Sequence, residues 1–192
     1  MLSIHKPDVV LLQETLGSEA DVTTLLSSIS PLYTFIAQSA RGHFGGLAIG
    51  WNQSTIRCSN SWGAPSGLGV QISWAEANLN LNIVNIYGPY NNRVEFWDSF
   101  KNSDISRKEN LIIGGDLNFT LGANKIWGPK VRTDPLALFF SNLLQNMNLI
   151  DLDPQKSKLS WTNRRVGEDR ITKRLDRFLL VENILDENLM FK

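Results

Sequence analysis

The residues best suited to chemistry in this chain lie in one stretch, Asn110–Thr120, with the sequence NLIIGGDLNFT. Its apolar start predicts a short buried strand, which ends at two glycines. Asp116 and Asn118 then bring a carboxylate and an amide to the carboxyl end of that strand, where α/β proteins usually place their ligand sites. The same residues are also typical of an Asx-turn that only closes the strand. The other motifs of the chain distinguish a ligand site from a turn that only closes the strand.

Two further polar residues follow predicted strands. Glu14 comes directly after the apolar run Val9–Leu12 and Gln13. A carboxylate there suits a hard cation, because Mg²⁺ takes one or two carboxylates together with waters and phosphate oxygens. Tyr87, in the segment YGPY, offers a phenol that could donate to a phosphate or orient a carboxylate. The alternatives are a solvated strand end for Glu14 and a tyrosine that caps the core at a Gly-Pro turn.

Two more candidates lie near the end of the chain. The segment Ser160–Asn163 (SWTN) combines hydroxyls, an amide and an indole, so Trp161 is either a stacking surface for a nucleotide or a core residue. Asp176 is a charge inside the apolar pattern RLDRFLL. Burying a carboxylate without a partner is expensive, which indicates that Asp176 is functional or paired with Arg174 or Arg177.

Length and composition describe an ordinary globular protein. The chain has 192 residues, of which 42% are hydrophobic and 20% charged, and its formal net charge is zero. Any nucleic-acid surface must therefore be local. A single cysteine, Cys58, excludes a disulfide within the chain and a cysteine-cluster metal site. No apolar run has membrane-spanning length and no secretory signal is evident, so we expect a nuclear or cytoplasmic protein that is not secreted.

The pattern of apolar residues predicts one domain over residues 1–192, with more strands than helices. Helices are predicted from Ser18 to about Ile29, over Asn92–Lys101 and over Thr133–Met147. The first half of Leu79–Tyr87 alternates apolar and polar residues, as in a half-exposed strand. The other predicted strands are Asp8–Glu14, Tyr33–Ala40, Gly46–Trp51, Ile56–Trp62, Val70–Trp74, the run at Leu111, Ser160–Asn163 and Arg174–Val181. This arrangement favours two packed sheets with helices outside.

Five motifs occur in series: PDVVLLQET, NIYGPY, LIIGGDLN, SWTN and RLDRFLL. Their order resembles the endonuclease/exonuclease/phosphatase superfamily, and within it the endonuclease domain of plant LINE-type (non-LTR) retrotransposons, from about Lys6 to Val181. The resemblance implies a DNase I-like α/β fold, a four-layer α/β/β/α sandwich. It also implies hydrolysis of phosphodiester or phosphomonoester bonds with Mg²⁺, for which Mn²⁺ is the alternative, and DNA as a partner.

The resemblance also implies roles for single residues. Glu14 would be the metal ligand and Tyr87 would contact the phosphate. Asp116 would orient and deprotonate the attacking water, Asn118 would hold that site and the scissile phosphate, and Asp176 would buttress a catalytic histidine. The nucleic-acid face would comprise Trp161, Thr162, Asn163, Arg164 and Arg165.

Two parts of the family pattern are absent from these 192 residues. They are an opening strand with an asparagine near the metal and a closing strand preceded by Ser-Asp-His. Neither His5, in the turn before the first predicted strand, nor His43, in the loop RGHFGG, matches the catalytic histidine. We therefore expect a sandwich without its first and last strands, with weak activity or none.

Nucleic acid is favoured as the substrate because of the retrotransposon resemblance. The segment Arg164–Arg177 adds six basic residues against three acidic ones, a composition that could follow a phosphate backbone. A solvated hairpin with its own ion pairs would have the same composition. Two other functions stay open: a non-catalytic remnant, and a phosphatase of the same superfamily that acts on small phosphoesters.

Overall fold

The computed structural model describes residues 5–40, 45–64, 67–75, 78–153 and 159–187, and His43 lies outside these ranges. The described chain forms two compact units. The first comprises Met1–Tyr87 and Glu109–Gly115, and the second Gly88–Lys108 and Asp116–Lys192. The interpretation of residues 1–192 as one domain stays a prediction.

The first unit contains a three-stranded antiparallel sheet covered by a helix. Its strands β1 (Val9–Gln13), β2 (Tyr33–Gln38) and β3 (Leu47–Asn52) have the order β1-β3-β2. Helix α1 (Glu19–Ile29) begins at Ser18, whose hydroxyl accepts a hydrogen bond of 3.2 Å from the Asp21 N–H and so caps the first turn. The helix packs its apolar residues against this sheet.

The same unit contains four more strands that pair in chain order. Strands β4 (Ile56–Ala64), β5 (Gly67–Trp74) and β6 (Leu79–Ile86) are antiparallel, and β6 runs parallel to β7 (Leu111–Asp116). Because β6 and β7 are parallel, their carboxyl ends lie at the same edge. Tyr87 directly follows β6 at that edge.

Strand β6 is buried from Leu81 to Ile86, so the half-exposed pattern predicted for its first half is present at Asn80 but not at Asn82. Asn80 is exposed, whereas Asn82 and Asn85 are buried and donate hydrogen bonds inside the protein. Asn82 donates to the Glu109 carbonyl oxygen at 2.8 Å. Asn85, with 0% exposure, donates to the carbonyl oxygens of Leu12 on β1 and Ala48 on β3 at 2.8 and 3.0 Å. A buried amide is tolerated when its hydrogen bonds are made, and here it ties the two sheets together.

The second unit contains two helices, α2 (Arg93–Lys101) and α3 (Ala137–Asn146), and two small groups of strands. Strands β8 (Ile126–Trp127), β10 (Trp161–Thr162) and β11 (Thr172–Lys173) form an antiparallel sheet in the order β10-β11-β8, and β9 (Leu149–Asp151) pairs with β12 (Asp176–Val181). Short 3₁₀ turns lie at Ile105–Arg107, Ala123–Lys125, Gly167–Asp169 and Glu182–Glu187.

Aromatic side chains form the core of this second unit. Trp97 of α2 meets Phe119 edge to face with ring centroids 5.6 Å apart, and Phe119 stacks on Phe140 of α3 at 4.1 Å. All three are almost fully buried. Phe119, the residue after Asn118, therefore anchors this segment in the core.

The predicted helix over Thr133–Met147 begins later, at Ala137. Pro135 lies just before this start, and the Asp134 carboxylate accepts a hydrogen bond of 3.0 Å from the Leu136 N–H. Asp134 thus belongs to the turn that precedes the helix. Among the described residues, no helix is long and apolar enough to cross a membrane.

Candidate active site

Glu14 and Tyr87 lie together in the first unit. The Tyr87 hydroxyl donates a hydrogen bond of 2.8 Å to Glu14 Oε1. The Glu14 side chain is exposed, whereas Tyr87 is 8% exposed and fixed in the core. The sequence offered two roles for this phenol, donation to a phosphate and orientation of a carboxylate. The structure contains the second. A rigid phenol therefore holds an exposed carboxylate in one place.

The backbone at Glu14 adopts a conformation that is unusual for glutamate. Its φ of 55° lies in the left-handed region, which costs about 1–3 kcal/mol for a non-glycine residue unless its surroundings impose it. Gly45 supplies those surroundings: its carbonyl oxygen accepts from the Leu16 N–H at 2.6 Å, and a Cβ on Gly45 would lie 2.8 Å from the Glu14 Cα. Strain of this kind concentrates at functional sites.

Gln13, the residue before Glu14, is also tied down. Its side-chain amide donates to Asn85 Oδ1 at 2.5 Å, and Asn85 is itself fixed between two sheets. Gly115 lies against this pair, since a Cβ there would lie 3.1 Å from Gln13 Nε2 and would collide with the Ile86 carbonyl oxygen. The end of β1 therefore depends on a glycine at position 115.

Replacing Gly115 with alanine is expected to lower the free energy of unfolding by about 2–3 kcal/mol, because the new methyl group meets backbone at a φ of 131°. Gly167→Ala is the matched control. Its φ of 62° is also left-handed, but nothing lies within 4 Å of its Cβ position, so it should lose only about 1 kcal/mol. Urea titration of both variants measures the difference, and equal losses would mean that the close packing at Gly115 is unimportant.

Asp116 and Asn118 form the Asx-turn that the sequence allowed. The Asn118 N–H donates to Asp116 Oδ1 at 3.0 Å, and the Asn118 side-chain amide donates to the Gly88 carbonyl oxygen at 2.6 Å. Asn118 has a φ of 53°. Its Oδ1 atom is buried and has no hydrogen-bond partner in the described structure. A buried acceptor without a donor is costly, so this atom is poised for a water or a ligand.

The Asn118 carbonyl oxygen accepts from Arg93 Nη1 at 3.2 Å. Arg93 also forms a bidentate pair with Asp134, with N–O distances of 2.6 and 2.9 Å. Burial alone would raise the pKa of the Asp134 carboxyl. Hydrogen bonds from Arg93 and from the Leu136 and Thr120 backbones, with the Arg93 charge, outweigh burial and lower that pKa below its ordinary value. The sequence reasoning missed this pair, because nothing in the local pattern connects two charges 41 residues apart.

The lowered pKa predicts how stability depends on pH. The ionised Asp134 carboxylate contributes its full stability above its unfolded pKa of about 4 and loses it as the pH falls through the lower folded pKa. Asp134→Asn should therefore cost about 3 kcal/mol at pH 7 and progressively less below pH 4. Urea titrations from pH 7 to pH 2.5 test this. Asp104→Asn, at an exposed carboxylate, serves as control, and a deficit independent of pH would contradict the assignment.

Asp176 is exposed at the start of β12, so the expectation of a buried charge there is wrong. The buried charges are its neighbours Arg174 and Arg177, which pair with Asp151 and, for Arg174, also with Asp153. The Asp176 backbone is fixed in place, because its N–H and that of Leu175 both donate to Ser160 Oγ at 2.9 Å. Among the ion pairs of the described residues, Asp176 therefore does not form the pair with Arg174 or Arg177 that its sequence context suggested.

The predicted nucleic-acid residues lie in the β10–β11 hairpin of the second unit. Trp161 is 36% exposed with Lys173 Nζ 6.0 Å from its ring centroid, and it is no core residue. Arg164 and Arg165 are exposed, as is Thr162. The Asn163 side chain is used by the loop itself, since it accepts from two backbone N–H groups and donates to the Asp169 carbonyl oxygen. Asn163 therefore shapes the hairpin on which the exposed side chains lie.

No three or more histidine, cysteine, aspartate or glutamate side chains group closely enough to enclose a metal ion in the described part of the chain. This excludes a closed cage among those residues but suits Mg²⁺, which often takes one or two carboxylates and completes its shell with water and phosphate oxygens. The exposed Glu14 carboxylate, held by Tyr87, is a donor of that type. The residues present fit a metal that is shared with a substrate phosphate.

Comparison with known proteins agrees with the motif order. A family model described as Endonuclease/Exonuclease/phosphatase family matches residues 1–182. The Transposon TX1 uncharacterized 149 kDa protein of Xenopus laevis is 28% identical over 117 residues, which is 57% of this chain. That alignment covers 9% of the Xenopus protein, so the chain corresponds to a small part of that relative.

Two solved structures have a similar fold. The endonuclease domain of TRAS1, a telomere-specific non-LTR retrotransposon, aligns with a TM-score of 0.64 and 17% identity, covering 94% of this chain and 88% of that one. D. rerio TDP2, solved with a single-strand DNA product, aligns with a TM-score of 0.60 and 16% identity over 95% and 74%. The predicted DNase I-like fold class is confirmed. With the family model matching nearly the whole sequence, the chain belongs to the Endonuclease/Exonuclease/phosphatase family.

Proposed function

We propose that this chain hydrolyses phosphodiester bonds in DNA with Mg²⁺, as the endonuclease-like domain of a retrotransposon-derived protein. The observation that carries the proposal is the buried, unpartnered Oδ1 of Asn118, in the same Asx-turn as the Asp116 carboxylate. A buried acceptor without a protein donor is costly unless a water or a ligand supplies the hydrogen bond. An attacking water is a donor that would satisfy it.

Each candidate residue then has a definite task. Asp116 takes the proton from the attacking water, and Asn118 Oδ1 accepts the other proton of that water and orients it. Glu14, oriented by Tyr87, would hold Mg²⁺. The metal, when bound, supplies charge stabilisation for the phosphoryl oxygens. Asp176 matches the residue that orients a catalytic histidine in the family pattern, but neither His5 nor His43 follows that pattern, so we assign Asp176 no proton-transfer step.

The β10–β11 hairpin supports DNA as the substrate. It presents an exposed indole at Trp161 and exposed guanidinium groups at Arg164 and Arg165, which suit stacking on bases and contact with phosphates. TRAS1 contributes a retrotransposon endonuclease domain and TDP2 was solved with a single-strand DNA product, and these likenesses make DNA the preferred choice among the phosphoesters of this family. A DNA substrate implies that the protein acts in the nucleus.

We propose that turnover by this chain is slow. Its two histidines are His5, which is exposed ahead of β1, and His43, and neither follows the family pattern. A general acid or base typically contributes about 10²–10⁴-fold to a rate, so its loss would leave a reaction that is measurable only with enzyme in excess.

The test is nicking of supercoiled plasmid by excess purified chain with Mg²⁺ and with EDTA. We expect slow conversion to open circles in Mg²⁺ and none in EDTA. A phosphate-release assay with small phosphomonoesters runs alongside, because a phosphatase of the same family would release phosphate and leave the plasmid intact. No reaction in either assay from a chain that circular dichroism shows to be folded would identify a non-catalytic remnant.

A further inference from the structure

Two consecutive carbonyl groups in the loop that follows Asp116 are each held by an arginine, one half-buried and one fully buried. Arg93 donates to the Asn118 carbonyl oxygen, and Arg177 donates to the Phe119 carbonyl oxygen. We propose that Arg93 and Arg177 are positioning residues that hold Asn118 in its left-handed conformation and so direct its Oδ1 atom toward the reacting water. This inference rests on the proposed function.

Arg93 approaches the loop from the first turn of α2. Its Nη1 lies 3.2 Å from the Asn118 carbonyl oxygen and 2.6 Å from Asp134 Oδ2, while its Nη2 lies 2.9 Å from Asp134 Oδ1. The side chains of both partners are mostly buried, at 18% and 10% exposure. One planar guanidinium thus makes a bidentate pair and still reaches the loop backbone, which an ammonium group with a single nitrogen cannot do.

Arg177 approaches the same loop from β12. Its Nε and Nη2 lie 3.4 and 3.2 Å from the Phe119 carbonyl oxygen, and Nη2 also donates to the Arg174 carbonyl oxygen at 3.0 Å. Its Nη1 pairs with Asp151, and its side chain has 0% exposure. Arg177 therefore joins the loop that carries Asn118 to the segment that precedes Asp176.

Aromatic rings connect the two arginines. The Arg93 guanidinium carbon lies 5.5 Å from the Phe140 ring centroid, and that of Arg177 lies 5.2 Å from the Phe119 ring centroid. Phe119 and Phe140 are stacked at 4.1 Å with an angle of 11° between their planes. A continuous series of contacts thus runs from Arg93 through Phe140 and Phe119 to Arg177. Asn118 directly precedes Phe119 in the sequence.

The hydrogen bonds of Asn118 indicate that its orientation matters. Its N–H, its side-chain amide and its carbonyl oxygen all have partners within the second unit, and Oδ1 is the group left over. A left-handed asparagine needs far fewer contacts than this to close a turn. Fixing every other group of a residue leaves one atom in a defined direction, which is what a group that orients a nucleophilic water requires.

The alternative is that Arg93 and Arg177 are purely structural, so that their ion pairs with Asp134 and Asp151 only stabilise the fold. Buried ion pairs can often be replaced by apolar residues with little loss of stability. The double variant Arg93→Met with Asp134→Asn removes both charges together, leaves no unpaired ion and keeps a side-chain oxygen that can accept from the Leu136 and Thr120 backbones. If Arg93 acts on Asn118, this double variant should remain folded yet nick DNA at least tenfold more slowly.

The decisive experiment compares Arg93→Lys and the double variant with the wild-type chain. Single-turnover nicking in Mg²⁺ gives the maximal rate and the half-saturating protein concentration. Hydrogen exchange reports on the Asn118 backbone amide, whose N–H donates to Asp116 Oδ1. For Arg93→Lys and for the double variant, we expect a maximal nicking rate at least tenfold lower than that of wild type and a half-saturating concentration within twofold of it. We expect the Asn118 amide to exchange at least tenfold faster. Arg107→Lys, at an exposed arginine with a 3.8 Å ion pair, is the matched control and should change none of the three.

Two other outcomes would overturn the inference. If Arg93→Lys and the double variant keep the wild-type rate and the wild-type exchange at Asn118, the arginine does not position the loop. If they lower only the melting temperature, their role is structural. If the wild-type chain itself does not nick DNA, the proposed function fails, and exchange at Asn118 alone then decides whether Arg93 holds the loop.

Discussion

Replacing Asp151 with alanine is expected to lower the free energy of unfolding by about 3–5 kcal/mol, the largest stability effect of any single substitution considered for this chain. Asp151 pairs with two arginines at once, Arg174 through Oδ1 and Arg177 through Oδ2. Both guanidinium groups are buried, with side chains 3% and 0% exposed. Removing the shared carboxylate leaves two buried positive charges close to each other.

Asp153 provides the matched control. It also pairs with Arg174, at 2.6 Å, and with Lys125, but its side chain is 73% exposed. Solvent screens such a pair, so Asp153→Ala should cost no more than about 1 kcal/mol. Urea titration at neutral pH measures both variants. Equal losses for Asp151→Ala and Asp153→Ala would show that burial of the arginines does not set the energy of this cluster.

Replacing Asp116 with asparagine is expected to lower the nicking rate by about 10²–10⁴-fold, which is the usual contribution of a general base. The substitution keeps an oxygen that can accept the Asn118 N–H, so the Asx-turn should persist. The loss should appear in the maximal rate under single-turnover conditions, with the melting temperature nearly unchanged. Asp98→Asn, at an exposed residue of α2, should leave the rate at the wild-type value. A rate for Asp116→Asn within threefold of wild type would remove Asp116 from the chemistry.

Much of the fold could be predicted from the sequence where the signal is local. Helix α1 begins at its capping serine, and β1 and β7 coincide closely with the apolar runs before Glu14 and around Leu111. The missed strands β8, β9 and β11 have only two or three residues each, too short for an alternating pattern. Their positions depend on pairing with strands distant in sequence.

The candidate site was predictable to the extent that it consists of strand ends. Motif order brought out Glu14, Tyr87, Asp116 and Asn118, and the structure adds that Tyr87 holds Glu14 and that Asp116 holds the Asn118 backbone. The supporting residues were not predictable. The buried hydrogen bonds of Asn85 are one example, because the sequence does not show which carbonyl groups will lie beside its amide.

The charges around Asp176 show the same limit. A carboxylate between two arginines in an apolar strand suggested a local pair, yet both arginines pair with Asp151, which precedes them by more than twenty residues. Asp176 begins β12 with an exposed side chain, whereas Leu175 and Arg177 on either side of it are buried.

The most direct test of the central claim is the Mg²⁺ dependence of plasmid nicking by the wild-type chain and by Glu14→Gln. Glutamine preserves size and an oxygen that can accept from Tyr87 but removes the charge that would hold the cation. The account predicts that half-maximal nicking by Glu14→Gln requires at least tenfold more Mg²⁺, with Glu95→Gln on α2 unchanged. Superimposable Mg²⁺ curves for wild type and Glu14→Gln, or nicking that persists in EDTA, would contradict it.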